Sequence, residues 1–203
     1  MEKVLMQRTN YITVALEDIY QPHNASAVVR TADCFGIQNV HIIEGRNTYE
    51  INPQVVRGSE KWVDIYKYTG DENNSAKCFS TLKSKGYKLV GTTPHVTGHE
   101  LSNFVIDQPI ALIFGTEETG LSDYAMQEVD DFVRIPMYGF TESFNLSVSA
   151  AICLYQLTST LYGSSTRWHL TEDEKELIRL NWYKKVVRRS ESLIKEHILD
   201  KNN

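Results

Sequence analysis

At 203 residues, with 41% apolar and 23% charged side chains, the chain suits one globular core with at most an appendage, which excludes disordered and fibrous classes. Its net charge of −5 excludes a molecule that attracts nucleic acid as a whole, so any such contact falls to local patches. The charge is uneven: from Ser164 onward nine Lys/Arg stand against seven Asp/Glu, leaving −7 for the residues before it. Cys34, Cys78 and Cys153 are scattered with no C-x-x-C pair, the pattern of reduced thiols buried as small apolar residues. The first ten residues lack the apolar core of a signal peptide, and no apolar run approaches the roughly 18 residues of a membrane span. The expectation is a soluble cytoplasmic protein with no membrane contact.

The elements follow in order. Ile12–Leu16 is a β-rich run, and His23–Phe35 reads as a helix opened near Asn24 and closed by Gly36. Val40–Ile43 and Val63–Tyr66 read as strands around a loop at Asn52-Pro53 and Arg57-Gly58. Ser75–Lys85 reads as a helix closed by Gly86, and Tyr87–Gly91 as the next strand. Pro109–Phe114 is apolar on both faces, which predicts a central parallel strand. A short helix over Leu121–Val129, a strand over Phe132–Ile135 and a long helix over Asn145–Leu161 complete the alternation. This order predicts an α/β fold, a mostly parallel sheet with helices on both faces. The small polar stretch Gly163–Thr166 divides residues 1–163 from a C-terminal helical extension, 164–203. Within the extension Thr171–Glu174 spells a capping box, and Leu177, Leu180, Val187 and Ile194 form a candidate apolar stripe.

The common nucleotide signatures are absent. Gly115-Thr-Glu-Glu-Thr-Gly120 lacks the Lys-Ser/Thr of a phosphate loop, and its two carboxylates suit a neutral or cationic ligand. His95 and His99 have metal-ligand spacing, but Pro94 and Gly98 oppose the helix that would align them, so no metal site is expected. Ser143 has no base visible in the sequence. Arg30 taken alone reads as a surface or ion-paired arginine, and Lys184, Lys185, Arg188 and Arg189, beside Trp182 and Tyr183, equally as a solvated face or a phosphate-contacting strip.

Three stretches taken together go further. H-N-A-S-A-V-V-R-T-A-D-C-F-G (23–36), I-A-L-I-F-G-T-E-E-T-G-L-S (110–122) and I-P-M-Y-G-F-T-E-S-F-N-L-S-V-S-A-A (135–151) resemble the three motifs of the SpoU/TrmH branch of the SPOUT RNA methyltransferases. The likeness spans about Tyr11 to Gly163, and the tail resembles C-terminal extensions of the tRNA-directed members. The resemblance implies a SPOUT-type fold with a C-terminal deep trefoil knot, which ordinary topology rules would not produce. It also implies a homodimer, S-adenosylmethionine as methyl donor, and methylation of a ribose 2′-hydroxyl in structured RNA, with tRNA favoured. By position, Thr92, Gly115, Ile135 and Leu146 would hold the cofactor, and Asn24, Arg30, Glu118, Ser143 and Asn145 would form the active site, with Glu117 as the neighbour of Glu118.

A sulfonium donor carries its own leaving group, so the remaining work is placing the 2′-oxygen and removing its proton. Arg30, with a pKa above roughly 12, suits holding a phosphate and stabilising a developing alkoxide better than acting as a base. Members acting on tRNA often carry a longer basic N-terminal segment; here RNA docking would rest on Arg8, Arg46, Arg57, Lys61 and the tail cluster. The rivals are an rRNA substrate, a non-catalytic RNA-binding protein of the same fold, and a flavodoxin-like nucleotide module.

Overall fold

The run Ile110-Ala-Leu-Ile-Phe114 is the middle strand of a seven-stranded parallel sheet in the computed structural model, which describes residues 1–95 and 98–194. In chain order the elements are α1 (Glu2–Leu5), β1 (Ile12–Glu17), α2 (Pro22–Cys34), β2 (Asn39–Ile43), α3 (Pro53–Val56), β3 (Asp64–Tyr68), α4 (Asn74–Ser84) and β4 (Lys88–Thr92). Then come β5 (His99–Glu100), β6 (Ile110–Phe114), α5 (Asp123–Glu128), β7 (Asp131–Arg134), α6 (Leu146–Tyr162) and α7 (Glu172–Val186). The strand order is β3-β2-β1-β6-β4-β7-β5. The central position predicted for β6 is the observed one, and all five of its residues are buried.

Alternation along the strands builds two cores. Ile12, Val14, Leu16, Leu112 and Phe114 face α2 and α6, whereas Ala15, Ala111, Ile113 and Leu89 face α4 and α5. After β1 the chain leaves towards β2, and after β6 it leaves towards β7 on the far side of β4. The carboxyl ends of β1 and β6 therefore border a crevice of the kind where open α/β sheets bind ligands.

The one-turn helices α1 and α3 and the two-residue β5 carry too little periodicity to be read from sequence. Three expectations are corrected. Cys34 is exposed, and only Cys78 and Cys153 are buried. Arg8 is no docking residue: it is 1% exposed, paired with Asp33, donates to the Ile37 carbonyl at 3.2 Å, and lies 5.3 Å from the Trp182 ring. The stripe of α7 is also displaced, because Lys175, Ile178 and Trp182 face inward while Leu177, Leu180 and Val187 are exposed.

That inward face rests on the chain's own N-terminal segment. Leu5, Leu170, Ile178 and Trp182 form a separate small core against Trp62. The Thr9 hydroxyl donates to the Trp168 carbonyl at 2.6 Å, Trp182 Nε1 to the Trp62 carbonyl at 3.0 Å, and Arg179 makes a two-pronged contact with Glu2 at 2.7 and 2.9 Å. The predicted capping box of Thr171 and Glu174 is present. The last part of the expected extension, 195–203, lies outside the described residues.

His41, buried on β2, stacks on Tyr66 and Tyr68, with Nδ1 3.0 Å from the Tyr68 hydroxyl. Burial, and then the charge of Lys85, push its pKa down from 6.5 to about 4. The unfolded chain therefore binds a proton that the folded chain refuses, so this contribution to stability is full above pH 6.5 and is lost as pH falls towards 4. Melting temperatures measured from pH 7.5 to pH 5 should fall less steeply for His41→Gln than for the unsubstituted protein.

Candidate active site

The crevice at the ends of β1, β4 and β6 is assembled from the three motif segments, and a buried amide joins them. The helix α2 opens at Gln21 with no side-chain cap of its own and Pro22 in its first turn. The backbone N–H groups that lead into it find a carboxylate from another segment: Tyr20 and Gln21 donate to Glu117 at 3.2 and 3.3 Å. A carboxylate at a helix start satisfies unpaired donors and meets the positive end of the helix dipole.

Asn24, one turn in and 2% exposed, donates from Nδ2 to Glu117 at 2.7 Å and to the Gln21 side-chain oxygen at 3.3 Å. Its Oδ1 accepts from Asn145 Nδ2 at 3.1 Å. The Asn145 oxygen in turn accepts from the backbone N–H and hydroxyl of Ser147, at 2.9 and 2.6 Å, and so caps α6. An ionised carboxylate only accepts, so Glu117 dictates which end of Asn24 points at it, and each later amide follows.

The loop from Gly115 to Gly120 that presents Glu117 closes on itself. Thr116 and Gly120 exchange backbone hydrogen bonds at 2.8 and 3.0 Å, and the Thr116 and Thr119 hydroxyls lie 2.8 Å apart. A Cβ on Gly115 would sit 2.1 Å from the Gly120 backbone, so only glycine permits the turn.

Between this loop, the end of β4 and the approach to α6 lies a cleft of about 530 Å³. Thr92, Gly115 and Leu146 line it, together with Asn24, Ser143 and Asn145. Ile135 lines a small adjoining cavity that shares Thr92 and Ser143. Glu118 faces the cleft as well, but it is exposed and, among the described residues, its side chain makes no hydrogen bond. The carboxylate that engages Asn24 is that of Glu117. Two consecutive acids look alike in sequence, and the closure of the 115–120 turn decides which one points inward.

Arg30 is not brought to the cleft of its own chain. It is exposed on α2 and donates to the Val55 carbonyl at 3.4 Å. Ser147 joins the site beyond the expected residues, and Asn-x-Ser at a helix start is the sequence signal for such a cap. Cys153, beside the small cavity, is held neutral by burial, which pushes its thiol up to about 12, so it supplies no nucleophile at neutral pH. Among the described residues no group of three His, Cys, Asp or Glu side chains is placed to hold a metal ion.

The cleft suits a small molecule. Its volume is in the usual ligand range, its walls carry hydroxyls, peptide groups and apolar side chains, and it has no phosphate loop. On the other side of the 115–120 loop a broader cleft of about 850 Å³ is walled by Glu17, Asp18, Glu44, Asp71 and Asp123, with Arg46 as its one basic residue. That wall repels polyanions.

Comparison with known proteins gives concordant results. The model of the "SpoU rRNA Methylase family" matches residues 11–155. A tRNA (guanosine(18)-2'-O)-methyltransferase of Borreliella burgdorferi is 44% identical over 188 residues, 93% of this chain and 84% of its own. The crystal structure of the Aquifex aeolicus TrmH/SpoU tRNA modifying enzyme superposes with a TM-score of 0.78 at 28% identity, covering 92% of this chain and 94% of that one. The methyltransferase AviRb of Streptomyces viridochromogenes, crystallised with AdoMet, shares the fold at a TM-score of 0.66 and 24% identity over 80% and 62% of the two chains.

Asn24→Leu keeps the volume and removes the amide, stranding Glu117 and Asn145. Urea denaturation should show a loss of about 2 kcal/mol, the size expected when buried polar groups lose their partner. An unchanged midpoint would mean that water replaces the amide without penalty.

Proposed function

Because this chain belongs to the SpoU rRNA methylase family, we propose that its motif cleft is a methyl-transfer site for RNA ribose. The protein is an enzyme: it transfers a methyl group from S-adenosylmethionine to a ribose 2′-hydroxyl of tRNA. The observation that carries this reading is the Glu117–Asn24–Asn145 node, which brings all three motifs to one cleft. We take the target to be guanosine 18, the nucleotide named for the relative with 44% identity. The family's own description favours rRNA as the second reading.

Bound S-adenosylmethionine supplies an electrophilic methyl group with its leaving group attached. Thr92, Gly115, Ile135 and Leu146 hold it, largely by peptide groups and shape. Thr92 contributes backbone rather than hydroxyl, since its Oγ1 already donates to the Ile113 carbonyl at 3.0 Å. Ser143, exposed and free of side-chain bonds among the described residues, orients the ribose beside the Asn145 cap. Glu117 acts through Asn24 as a positioning residue and takes the part first given to Glu118. Arg30 holds a phosphate of the target and stabilises charge developing on the 2′-oxygen.

A homodimer completes this arrangement. Val148 and Tyr155 on α6 are 43% and 62% exposed, an apolar face that calls for a cover, and Arg30 lies outside its own chain's cleft. A second copy both covers that face and supplies the guanidinium. We further propose that the segment after β7 threads the family's trefoil knot, that residues 1–163 form the catalytic unit and 164–203 the extension, and that the enzyme works in the cytoplasm, with its tRNA substrate. Among the described residues no helix is long and apolar enough to cross a membrane.

With labelled S-adenosylmethionine, the label should appear in unmodified bulk tRNA, on ribose at guanosine 18 after nuclease digestion, and not in rRNA. Arg30→Ala should abolish transfer while cofactor affinity stays within a few fold; loss of both together would remove Arg30 from the chemistry. Lys184, Lys185, Arg188 and Arg189 are exposed. Changing these four to Gln should weaken tRNA binding and reduce its salt dependence, each lost phosphate contact lowering the log–log slope by about 0.7–0.9.

A further inference from the structure

Five of the twelve Lys and Arg side chains before Ser164 are held in ion pairs: Lys77, Lys83, Lys88 and Arg134 pair with Asp71, Glu128, Asp131 and Glu100, and Arg8 pairs with Asp33. Arg57, like Arg46 and Lys61, is in none of them. It is exposed, and among the described residues its guanidinium makes no hydrogen bond and no ion pair.

Its backbone is unusual too. Arg57 closes α3 with φ 53 and ψ 29, in the left-handed region, and Gly58 follows at φ 89. Glycine or asparagine is favoured at such a helix end, because other side chains crowd the backbone there. An arginine in this place sacrifices local stability, which is how strain at functional positions is recognised.

The turn is also rigid. Asn52 caps it by accepting from the Gln54 N–H at 3.1 Å, and Pro53 occupies its first position. Three contacts fasten it to α2. The Asn52 N–H donates to the buried Ser26 hydroxyl at 2.9 Å, Arg30 Nη1 reaches the Val55 carbonyl at 3.4 Å, and Val56, 1% exposed, enters the core beside α2. Arg57 is thus two residues beyond the carbonyl that Arg30 grips, a Cα separation from Val55 of about 5–6 Å in helical geometry. Arg57 therefore belongs to a turn fastened to the helix that carries Asn24 and Arg30.

We propose that Arg57 and Arg30 form a paired clamp for the RNA backbone, with Arg57 gripping a phosphate next to the methylated ribose. This rests on the RNA-substrate reading above. Planar guanidinium groups bind phosphate through two parallel N–H bonds, and the contacts of α3 with α2 hold the backbone from which both arginines project. Arg57 thereby sets the register of the target ribose over the cleft of the second copy, which Arg30 serves, without touching the reacting atoms.

The test uses the full chain and an unmodified tRNA transcript. Equilibrium binding is measured over a KCl series, with methyl transfer and thermal melting on the same samples. Arg57→Gly and Arg57→Asn both suit the left-handed backbone, so their melting temperatures should equal or exceed that of the unsubstituted protein. Their tRNA affinity should fall about 5- to 10-fold at low salt, with the log–log salt slope reduced by about 0.7–0.9. Arg57→Lys should recover most of the slope and less of the transfer rate. Unchanged affinity and slope in both variants, with an unsubstituted enzyme that binds and methylates tRNA, would overturn the clamp alone. A shift from dimer to monomer mass with the slope unchanged would overturn it in favour of a subunit contact. Absence of both binding and transfer in the unsubstituted protein would overturn the RNA-substrate reading, and the clamp with it.

Discussion

The buried amide of Asn24 is the constraint on which the rest of the site depends. It joins residues 93 and 121 positions away, Glu117 and Asn145, in one directed relay. Each member has a fixed polarity because the relay begins at a carboxylate that only accepts and ends at a backbone N–H that only donates. Inside a protein such a relay is strong when complete and costly when broken. The starts of α2 and α6 and the 115–120 loop are therefore held in mutual register before any ligand enters.

The helix α2 is secured along its whole length. Glu117 caps its start, and Asp33, near its end, pairs with the buried Arg8, whose guanidinium also lies over Trp182 of α7. Between those points Ser26 and Arg30 carry the α3 turn. One helix thus links the cleft, the α3 turn and the docked tail. Rigid elements position binding groups more accurately than loops do. The arrangement lets exposed cations on α3 and beyond α7 keep set positions relative to the cleft.

Charge is spread unevenly over the molecule. The 850 Å³ cleft carries a ring of carboxylates, whereas Arg57, Lys61, Lys184, Arg188 and Arg189 do not line it and, among the described residues, form no ion pair, in a chain whose total charge is −5. The carboxylate-walled cleft therefore turns a polyanion away. Net charge is a poor guide here, because screening confines surface interactions to about 8–10 Å at physiological salt.

What the sequence determined by itself was short-range. Period-two and period-3.6 patterns, both-face apolarity in β6 and polar residues at helix entrances located the strands, the long helices and the caps at Asn145 and Thr171, since each depends on neighbours within a few residues. Motif resemblance grouped Asn24, Arg30, Glu118, Ser143 and Asn145, and the fold brings all but Arg30 to one cleft. Tertiary structure alone decided that Glu117 rather than Glu118 meets Asn24, that Arg8 is a buried strut, that α7 turns Ile178 and Trp182 inward, and that Arg30 leaves its own cleft for the α3 turn. Each of those outcomes is set by which surfaces meet across many tens of residues. Local composition does not encode that choice: adjacent acids, or the two apolar edges of one helix, are nearly equal in energy until a distant partner selects between them.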